Sequence, residues 1–397
     1  MKLTPEEQDM LDGKNGKAVR KSMEILSTLG EIFEAERMVD VCSVQIAGVS
    51  YANLGEAGLE FLSEMAEDGK VKVLTTLNPA GMDRENWRAL GIDEGFAKNQ
   101  IRVIDAFAKM GIITTCSCTP YLIGNVPHFG QHIAWAESSA VCYANSVIGA
   151  RTNREGGPSA LASALTGKTP KYGYHLNENR HGQVLVKVNA HIKGTDGFGV
   201  LGKAIGDRLI KLGKNIPLIT GISSASVEEL KSFCASIATY GGTALFHMEG
   251  ITPEFYGYPK PSGEVFEINQ EDLEKARSEL VDSGLEVDFV SIGCPQASIS
   301  EIEKIASLLK GKKVKKEFWI TTARPIKRMA DEAGYSKIIE DAGAKFAADT
   351  CCVVAPIKGR FKGMMVDSAK ACYYGRASNK SKVKIGTIVE CVEEAMK

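Results

Sequence analysis

The sequence predicts an α/β protein of several lobes, in which mostly parallel sheets are flanked by helices. Segments with strand and helix patterns alternate over most of the chain after residue 38. Alternation of this kind builds parallel sheets that are covered by helices on both faces. The 397 residues exceed what one hydrophobic core usually serves, and the 40 glycines suit many tight turns between strands and helices.

The first 190 residues are predicted to form an N-terminal α/β lobe that contains Cys118. Thr4-Pro5-Glu6-Glu7 has the composition of a helix start. An amphipathic helix follows, with apolar residues at positions 19, 23, 26, 29 and 33. The further predicted elements are strands over 38–46, 71–77, 112–118 and 184–192, and helices over 55–67, 94–110, 132–149 and 157–166.

Two more lobes are predicted, a middle one over 191–265 and a C-terminal one over 266–397 that contains Cys294 and Cys351. The segment 251–265, rich in Pro, Gly and Tyr, is predicted to be a linker. The strands predicted here are 216–220, 243–248, 287–292, 317–322 and 345–350. The predicted helices are 227–239, 270–283 and 299–310, the last capped by Ser298 and Glu301, followed by helical segments up to Ala342 and a terminal helix capped by Thr387 and Glu390.

Composition and charge exclude several classes of protein. The chain is 44% hydrophobic and 24% charged, its formal net charge is −1, and its Lys and Arg residues are scattered. Neither a nucleic-acid partner nor a membrane surface is expected, and no apolar run is long enough to span a bilayer. The start, MKLTPEEQDM, lacks the profile of a secretory signal, so we expect a cytoplasmic protein whose thiols stay reduced.

Three of the ten cysteines share one predicted position. Cys118, Cys294 and Cys351 each lie at or just after the end of a predicted strand, where parallel sheets form their ligand sites. They are either ligands of one metal centre or small core residues. The chain has no CxxC pair, which disfavours a zinc ribbon or a small ferredoxin. Three thiolates on an iron–sulfur cluster would leave one iron free to act as a Lewis acid.

The other cysteines give weaker signals. Cys142 and Cys234 lie in apolar helical patterns and Cys42 in a predicted strand, so all three are interpreted as core residues. Cys352 neighbours Cys351, and strand alternation would point their thiols in opposite directions. Its role is left open, while Cys372 and Cys391 carry no positional signal.

Six segments of the chain together resemble the aconitase X family. They are VQIAGVSYANLGEAGLEFL at 44–62, TTLNPAGMD at 75–83, TCSCTPYLIGNVPHFGQHIAWAESSAVCYANSVIGARTNREGGPSA at 115–160, IGCPQAS at 292–298, DTCCVVAP at 349–356 and VDSAKACYYG at 366–375. The resemblance covers nearly the whole chain. It implies an aconitase-like fold and a dehydratase whose iron–sulfur cluster, a four-iron (4Fe-4S) or a two-iron form, is held by Cys118, Cys294 and Cys351.

The resemblance also implies a partner and a substrate. The chain ends at Lys397, so it is expected to be a large subunit that forms a heterodimer with a small swivelling-domain subunit, which supplies the catalytic base. The expected reaction is dehydration of (R)-mevalonate 5-phosphate to trans-anhydromevalonate 5-phosphate, on a mevalonate route to isoprenoids. Alternatives are cis-3-hydroxy-L-proline or another small hydroxy acid as substrate, a cluster-based sensor or regulatory protein, and an electron-transfer protein with Cys116 or Cys352 as a fourth ligand.

Loops at the predicted sheet edge supply candidate contacts to a small phosphorylated or carboxylate substrate. These are Gly48, Val49 and Ser50, Asn78 and Pro79, Glu137 and Ser138, and Lys370. Ser50 and Asn78 could instead cap turns, and Glu137 and Lys370 could be solvated surface charges. Arg151 and Arg154 are a candidate anion clamp, but we favour a role in supporting the Gly156-Gly157 turn. The six histidines form no HExxH metal motif, and His128 and His132, spaced i,i+4 but separated by Gly130, are interpreted as loop residues.

Overall fold

The computed structural model describes residues 1–397 and confirms the predicted α/β fold. Its strands form three parallel sheets and one two-stranded antiparallel ribbon. The parallel sheets take their strands from residues 43–135, 184–268 and 289–385, and we call them the N-terminal, middle and C-terminal sheets. The division into lobes at residues 190 and 265 stays a prediction. No helix is both long and apolar enough to cross a lipid bilayer.

The N-terminal part of the chain surrounds a sheet of three strands. Its helices are α1 (Pro5–Leu11), α2 (Lys17–Ile32), α3 (Tyr51–Met65), α4 (Glu94–Lys109), α5 (Ser138–Tyr143) and α6 (Gly157–Thr166), and its strands are β1 (Met38–Asp40), β2 (Ser43–Ile46), β3 (Leu74–Leu77), β4 (Ala134–Trp135) and β5 (Lys168–Pro170). The sheet order is β3-β2-β4, while β1 and β5 form the antiparallel ribbon. Thr4 caps α1 with a capping box, as predicted.

Two predicted elements of this part are wrong. The segment 112–118 is not a strand, because Cys116 has a φ of 48° and takes the chain out of the extended conformation. Only Ile113 forms a bridge there, and the N–H of Ser117 donates to the Leu77 carbonyl at 2.8 Å. The predicted helix 132–149 begins instead as β4, since its first residues pair with β2.

The predicted strand 38–46 divides into β1 and β2, which belong to different sheets. Cys42 lies between them and is exposed, so its interpretation as a core residue is wrong. Phe33, assigned to the buried face of a helix, is half exposed and follows α2. Its ring stacks on Tyr172 with a centroid distance of 4.4 Å.

The middle sheet has the order β8-β7-β6-β9. Its strands are β6 (Val184–Val188), β7 (Pro217–Thr220), β8 (His247–Met248) and β9 (Val265–Ile268), and its helices are α7 (Gly194–Leu212) and α8 (Val227–Tyr240). Strand β9 starts at Val265, which is the last residue of the predicted linker. Sequence patterns did not predict α7, the longest helix of the chain, because five glycines weaken its helix propensity.

Glycines let α7 approach α8 closely. A Cβ atom at Gly202 would lie 2.9 Å from the Phe233 carbonyl oxygen and 2.8 Å from the Cβ of Ser236. Gly199 and Gly206 face the same helix, with Ser232 and the backbone of Tyr240 as their neighbours. The two helices therefore meet backbone to backbone at Gly202 and Gly206, along a seam that also contains the small side chains of Ser232 and Ser236.

The C-terminal sheet has the order β12-β11-β10-β13-β14. Its strands are β10 (Phe289–Ala297), β11 (Glu317–Thr322), β12 (Lys345–Ala348), β13 (Gly363–Val366) and β14 (Lys382–Ile385), and its helices are α9 (Gln270–Ser278), α10 (Ile299–Leu309), α11 (Arg324–Glu332), α12 (Tyr335–Asp341), α13 (Ala369–Tyr374) and α14 (Ile388–Met396). All nine residues of the central strand β10 are buried. The predicted caps Ser298–Glu301 and Thr387–Glu390 are present as capping boxes.

Buried charges join the three parts. The Asp349 carboxylate, next to β12, accepts hydrogen bonds from Arg84 Nε at 3.0 Å and from Arg324 Nη2 at 2.7 Å. Arg180 pairs with Glu254 at 3.0 Å and donates to the Asn145 carbonyl at 2.9 Å. Because an unpaired buried charge is costly, these contacts favour one arrangement of the sheets.

We expect Gly202→Ala to lower the thermal unfolding midpoint, since overpacking a tight interface costs about 1–3 kcal/mol. Gly197→Ala is the matched control, because a Cβ there would meet only Ile192 at 3.6 Å and the helix would gain up to about 1 kcal/mol in propensity. Circular dichroism melts of both variants check this. Equal midpoints for both variants would contradict a backbone-to-backbone seam.

Candidate active site

The carboxyl ends of the N-terminal and C-terminal sheets carry most of the predicted site residues. β2, β3 and β4 are parallel, so the segments that follow them, at 48–50, 78–79 and 137–138, lie at one edge of the N-terminal sheet. On the C-terminal sheet, Cys351 follows β12 and Lys370 lies just beyond β13, while Cys294 lies within β10. Contacts between the two sets, described below, bring these edges together.

Cys118, Cys294 and Cys351 are all buried, with 7–8% of their surfaces exposed. Burial raises the pKa of the Cys118 thiol to about 12, and smaller increases come from Glu137 and Cys351. Burial also raises the pKa of Cys294, with further increases from Cys352, Cys351 and Cys118. The three segments are also in contact, because Gln296, in the same strand as Cys294, bonds to Cys118 Sγ at 3.3 Å and to the carbonyl of Thr350, which precedes Cys351, at 3.2 Å.

Lys370 is the cation that faces this group of thiols. Its charge lowers the pKa of Cys118, Cys294 and Cys351, although burial outweighs it in each case. Its Nζ forms an ion pair with Glu137 Oε1 at 2.5 Å, and the two side chains are only 9% and 12% exposed. The alternative that Glu137 and Lys370 are solvated surface charges is therefore wrong.

The Glu137–Lys370 pair is held in its charged form. Burial alone would raise the pKa of Glu137, but Lys370, Asn78 and Ser139 together lower it to about 2. Asn78 Nδ2 donates to Glu137 Oε2 at 2.8 Å, and Ser139 Oγ donates to Oε1 at 3.0 Å. Burial lowers the pKa of Lys370, but Glu137, Cys294 and Cys118 raise it by more, so its pKa lies above the ordinary value for lysine.

The other loop residues border the same region to different degrees. Ser50 is buried, and its Oγ donates to the Val354 carbonyl at 3.1 Å, which ties the loop after β2 to the segment that follows Cys351. It precedes α3 but makes no side-chain capping bond. Asn78 Oδ1 is buried without a hydrogen-bond partner, so it is free to accept a bond from a ligand. Val49 packs in the hydrophobic core, and Gly48 has a φ of +79°.

Arg151 and Arg154 are not part of this group. Arg151 forms an ion pair with Glu254 at 3.7 Å and donates to Asn177, and Arg154 is exposed. His132, predicted to be a loop residue, instead lies next to β4, where its Nδ1 is 2.9 Å from the Nδ1 of buried His175. Arg151, His132 and His175 form a separate polar cluster beside Arg180. The two arginines therefore form no anion clamp at the cysteines.

Two further cysteines, Cys116 and Cys352, lie beside the group. Burial raises the pKa of Cys116 to about 12, and Asp349 adds to the increase. Burial raises the pKa of the Cys352 thiol, Cys351 raises it further, and Ser291 lowers it. No group of three or more His, Cys, Asp or Glu residues is arranged to hold a single metal ion.

Gln296 is a site residue that sequence patterns did not reveal. It lies in β10, two residues after Cys294, and is fully buried. Its backbone N–H donates to Cys118 Sγ at 3.3 Å. The segment IGCPQAS contains both Cys294 and Gln296, but only the cysteine stood out as a chemically reactive residue.

Comparisons with known proteins cover the whole length of the chain. Family models described as the first, second and third domains of aconitase X match residues 1–178, 182–278 and 287–397. A phosphomevalonate dehydratase large subunit from Methanocaldococcus jannaschii is 46% identical over 99% of this chain and 100% of its own length. One from Methanothermobacter thermautotrophicus is 47% identical over 93% of this chain and 92% of its own length.

A crystal structure agrees with these similarities. The holo-form of Thermococcus kodakaraensis aconitase X has a TM-score of 0.92 and is 43% identical over 100% of both chains. A more distant relative, the cis-3-hydroxy-L-proline dehydratase of Hypocrea jecorina, is 32% identical, and the match covers 100% of this chain and 68% of that protein. By sequence and by structure, the chain belongs to the aconitase X family.

Proposed function

We propose that this chain is the large subunit of a hydro-lyase that removes water from (R)-mevalonate 5-phosphate to give trans-anhydromevalonate 5-phosphate, a step toward isoprenoids. One observation carries the proposal. The relatives that are 44–47% identical over nearly their whole length are named phosphomevalonate dehydratase large subunits. The relatives named cis-3-hydroxy-L-proline dehydratase are only 31–32% identical, and hydroxyproline is therefore the second candidate substrate.

The partner in this proposal is a separate small subunit. The match spans 97–100% of three large-subunit relatives but only 68% and 69% of the hydroxyproline dehydratases. We propose that a swivelling small subunit supplies the remaining part and the base, and that the heterodimer works in the cytosol. Reducing conditions there would keep the ten free thiols available.

The cofactor in this proposal is an iron–sulfur cluster held by Cys118, Cys294 and Cys351. The residues fit such a group, because three buried thiols come from separate segments that Gln296 holds in contact with one another. A cluster spaces its thiolates more widely than a single ion does, so the thiols need only border a common space. When bound, the cluster supplies Lewis acidity toward a leaving hydroxyl group.

The chain's own residues bind and orient the substrate in this proposal. Lys370 is charged and buried, so it can attract a carboxylate or phosphate and stabilise the negative charge of the thiolates. Glu137 holds Lys370 in place and is itself fixed by Asn78 and Ser139. The unpaired Oδ1 of Asn78 offers an acceptor for a substrate hydroxyl group. The loops at Gly48–Ser50 and Asn78–Pro79 enclose the same edge.

Cys294→Ala should abolish the iron content and the visible absorbance of the anaerobically purified protein, because one of three ligands is lost. Cys391→Ala is the matched control, since Cys391 is also a fully buried cysteine but lies in α14. Iron analysis and absorption spectra of both variants check this. Full absorbance in Cys294→Ala would exclude Cys294 as a ligand.

Lys370→Met should lower kcat/KM by about a hundredfold, which corresponds to roughly 3 kcal/mol of lost charge interaction. The unpaired Glu137 should also lower stability. Lys203→Met is the control. Lys203 is also a buried lysine, but it lies in α7 and is paired with Asp207 and Glu279. Both variants should melt earlier, and only Lys370→Met should lose activity. Equal kcat/KM for both variants would contradict a role for Lys370 in substrate binding.

When the chain is mixed anaerobically with its small subunit, we expect turnover of mevalonate 5-phosphate. Formation of the unsaturated product measures this turnover. cis-3-Hydroxy-L-proline, tested in parallel, should react at least about a hundredfold more slowly, since it lacks the phosphate that charged groups would bind. Turnover of hydroxyproline alone would transfer the proposal to the second candidate.

A further inference from the structure

Gln296 contacts all three segments that carry the proposed ligand cysteines. Its own strand, β10, contains Cys294, and its backbone N–H donates to Cys118 Sγ at 3.3 Å. Its side-chain Nε2 donates to the carbonyls of Cys116 and Thr350, both at 3.2 Å. Thr350 immediately precedes Cys351. A single residue therefore links three segments that are far apart in the sequence.

The backbone of β10 is shaped so that Gln296 can make these contacts. The register between β10 and β11 shifts between Ile292 and Ala297, so the residues between them leave the regular ladder. Gly293, with a φ of +107°, has no room for a side chain, because a Cβ would lie 2.2 Å from the Thr321 carbonyl oxygen. This irregularity frees the N–H of Gln296 for a sulfur acceptor.

The position of Gln296 is fixed from the other side as well. Its carbonyl accepts a hydrogen bond from Lys231 Nζ at 3.0 Å, and Lys231 forms a buried ion pair with Glu301. The orientation of the side-chain amide also follows from its neighbours, since two carbonyl oxygens can bond only to the nitrogen. Gln296 is completely buried, so its contacts are shielded from competing water.

We propose that Gln296 is a positioning residue for the iron–sulfur cluster, a role that rests on the proposed function of Cys118, Cys294 and Cys351 as its ligands. Its carboxamide sets the distance between the Cys118 and Cys351 segments. Its N–H···S bond withdraws electron density from the Cys118 thiolate, which raises the reduction potential of the cluster. Outer hydrogen-bond partners of metal ligands typically contribute tenfold to hundredfold in metal affinity.

Gln296→Met tests the proposal, because methionine has a similar length but no side-chain N–H donor, so it loses both bonds that hold the backbone N–H of residue 296 in place against Cys118 Sγ. After anaerobic reconstitution, we expect the variant to lose iron to a chelator about tenfold to hundredfold faster than the unmodified chain. We also expect a lower midpoint potential, measured by redox titration, because the N–H···S bond is misaligned. A purely structural role for Gln296 would leave the potential of the remaining cluster unchanged.

Gln100→Met is the matched control. Gln100 is also completely buried, and its side chain bonds to the backbone of Val49, Tyr51 and Gly81, none of which lies on a cysteine-bearing segment. It should keep the rate of iron loss and the potential of the unmodified chain. Should Gln296→Met fail to fold, Gln296→Asn keeps the amide but reaches only one carbonyl, and it should give an intermediate rate.

The outcomes separate this inference from the function on which it rests. If the unmodified chain binds a cluster and the Gln296 variants match it in iron loss and potential, the positioning role is overturned and the proposed function stands. If the unmodified chain takes up no cluster, the proposed function fails, and the positioning role fails with it. Faster iron loss with a lowered potential in the Gln296 variants alone supports the role.

Discussion

One buried carboxylate, that of Asp349, determines how the two halves of the site face each other. Asp349 is completely inaccessible to solvent, and its backbone has a φ of 64°. Its carboxylate is paired with Arg84 from the loop after β3 and with Arg324 at the start of α11. An unpaired carboxylate at this depth would cost several kcal/mol, so the pairing strongly favours docking of the two sheets. Cys351 follows only two residues later, and its place relative to the N-terminal sheet is set by this contact.

A second buried pair, Glu137–Lys370, also joins the N-terminal and C-terminal parts of the chain. Glu137 belongs to the N-terminal sheet edge and Lys370 to the helix after β13. The two pairs differ in how many oppositely charged partners each buried charge has. Asp349 is surrounded by donors, whereas Lys370 faces three thiols with only one carboxylate partner. Asp349 thus stabilises the packing of the two sheets, whereas Lys370 has the proposed role of attracting an anionic ligand.

Sequence patterns predicted those elements whose signals are local. The capping boxes at Ser298 and Thr387 and the buried strands of the C-terminal sheet follow from neighbouring residues alone. Segment 112–118 failed because its conformation depends on a positive φ at Cys116 and on bonds to Leu77. Helix α7 was missed because its glycines, unfavourable in an isolated helix, become favourable only against α8. Only Cys351 follows a strand as predicted, since the strand before Cys118 is absent and Cys294 lies within β10. Gln296 was not predictable, because its partners lie 178 and 54 residues away.

The glycine seam between α7 and α8 has a mechanical consequence. Packed helices usually slide past each other by small rotations of interlocking side chains, and such shear movements spread over many contacts. Along this seam, the main chains of the two helices are in contact near Gly202 and Gly206, and the side chains between them, Ser232 and Ser236, are small, so few rotamers can adjust. The middle sheet and its helices should therefore move as one rigid body. Any opening of the molecule must then bend the chain where this rigid body borders the rest of the protein.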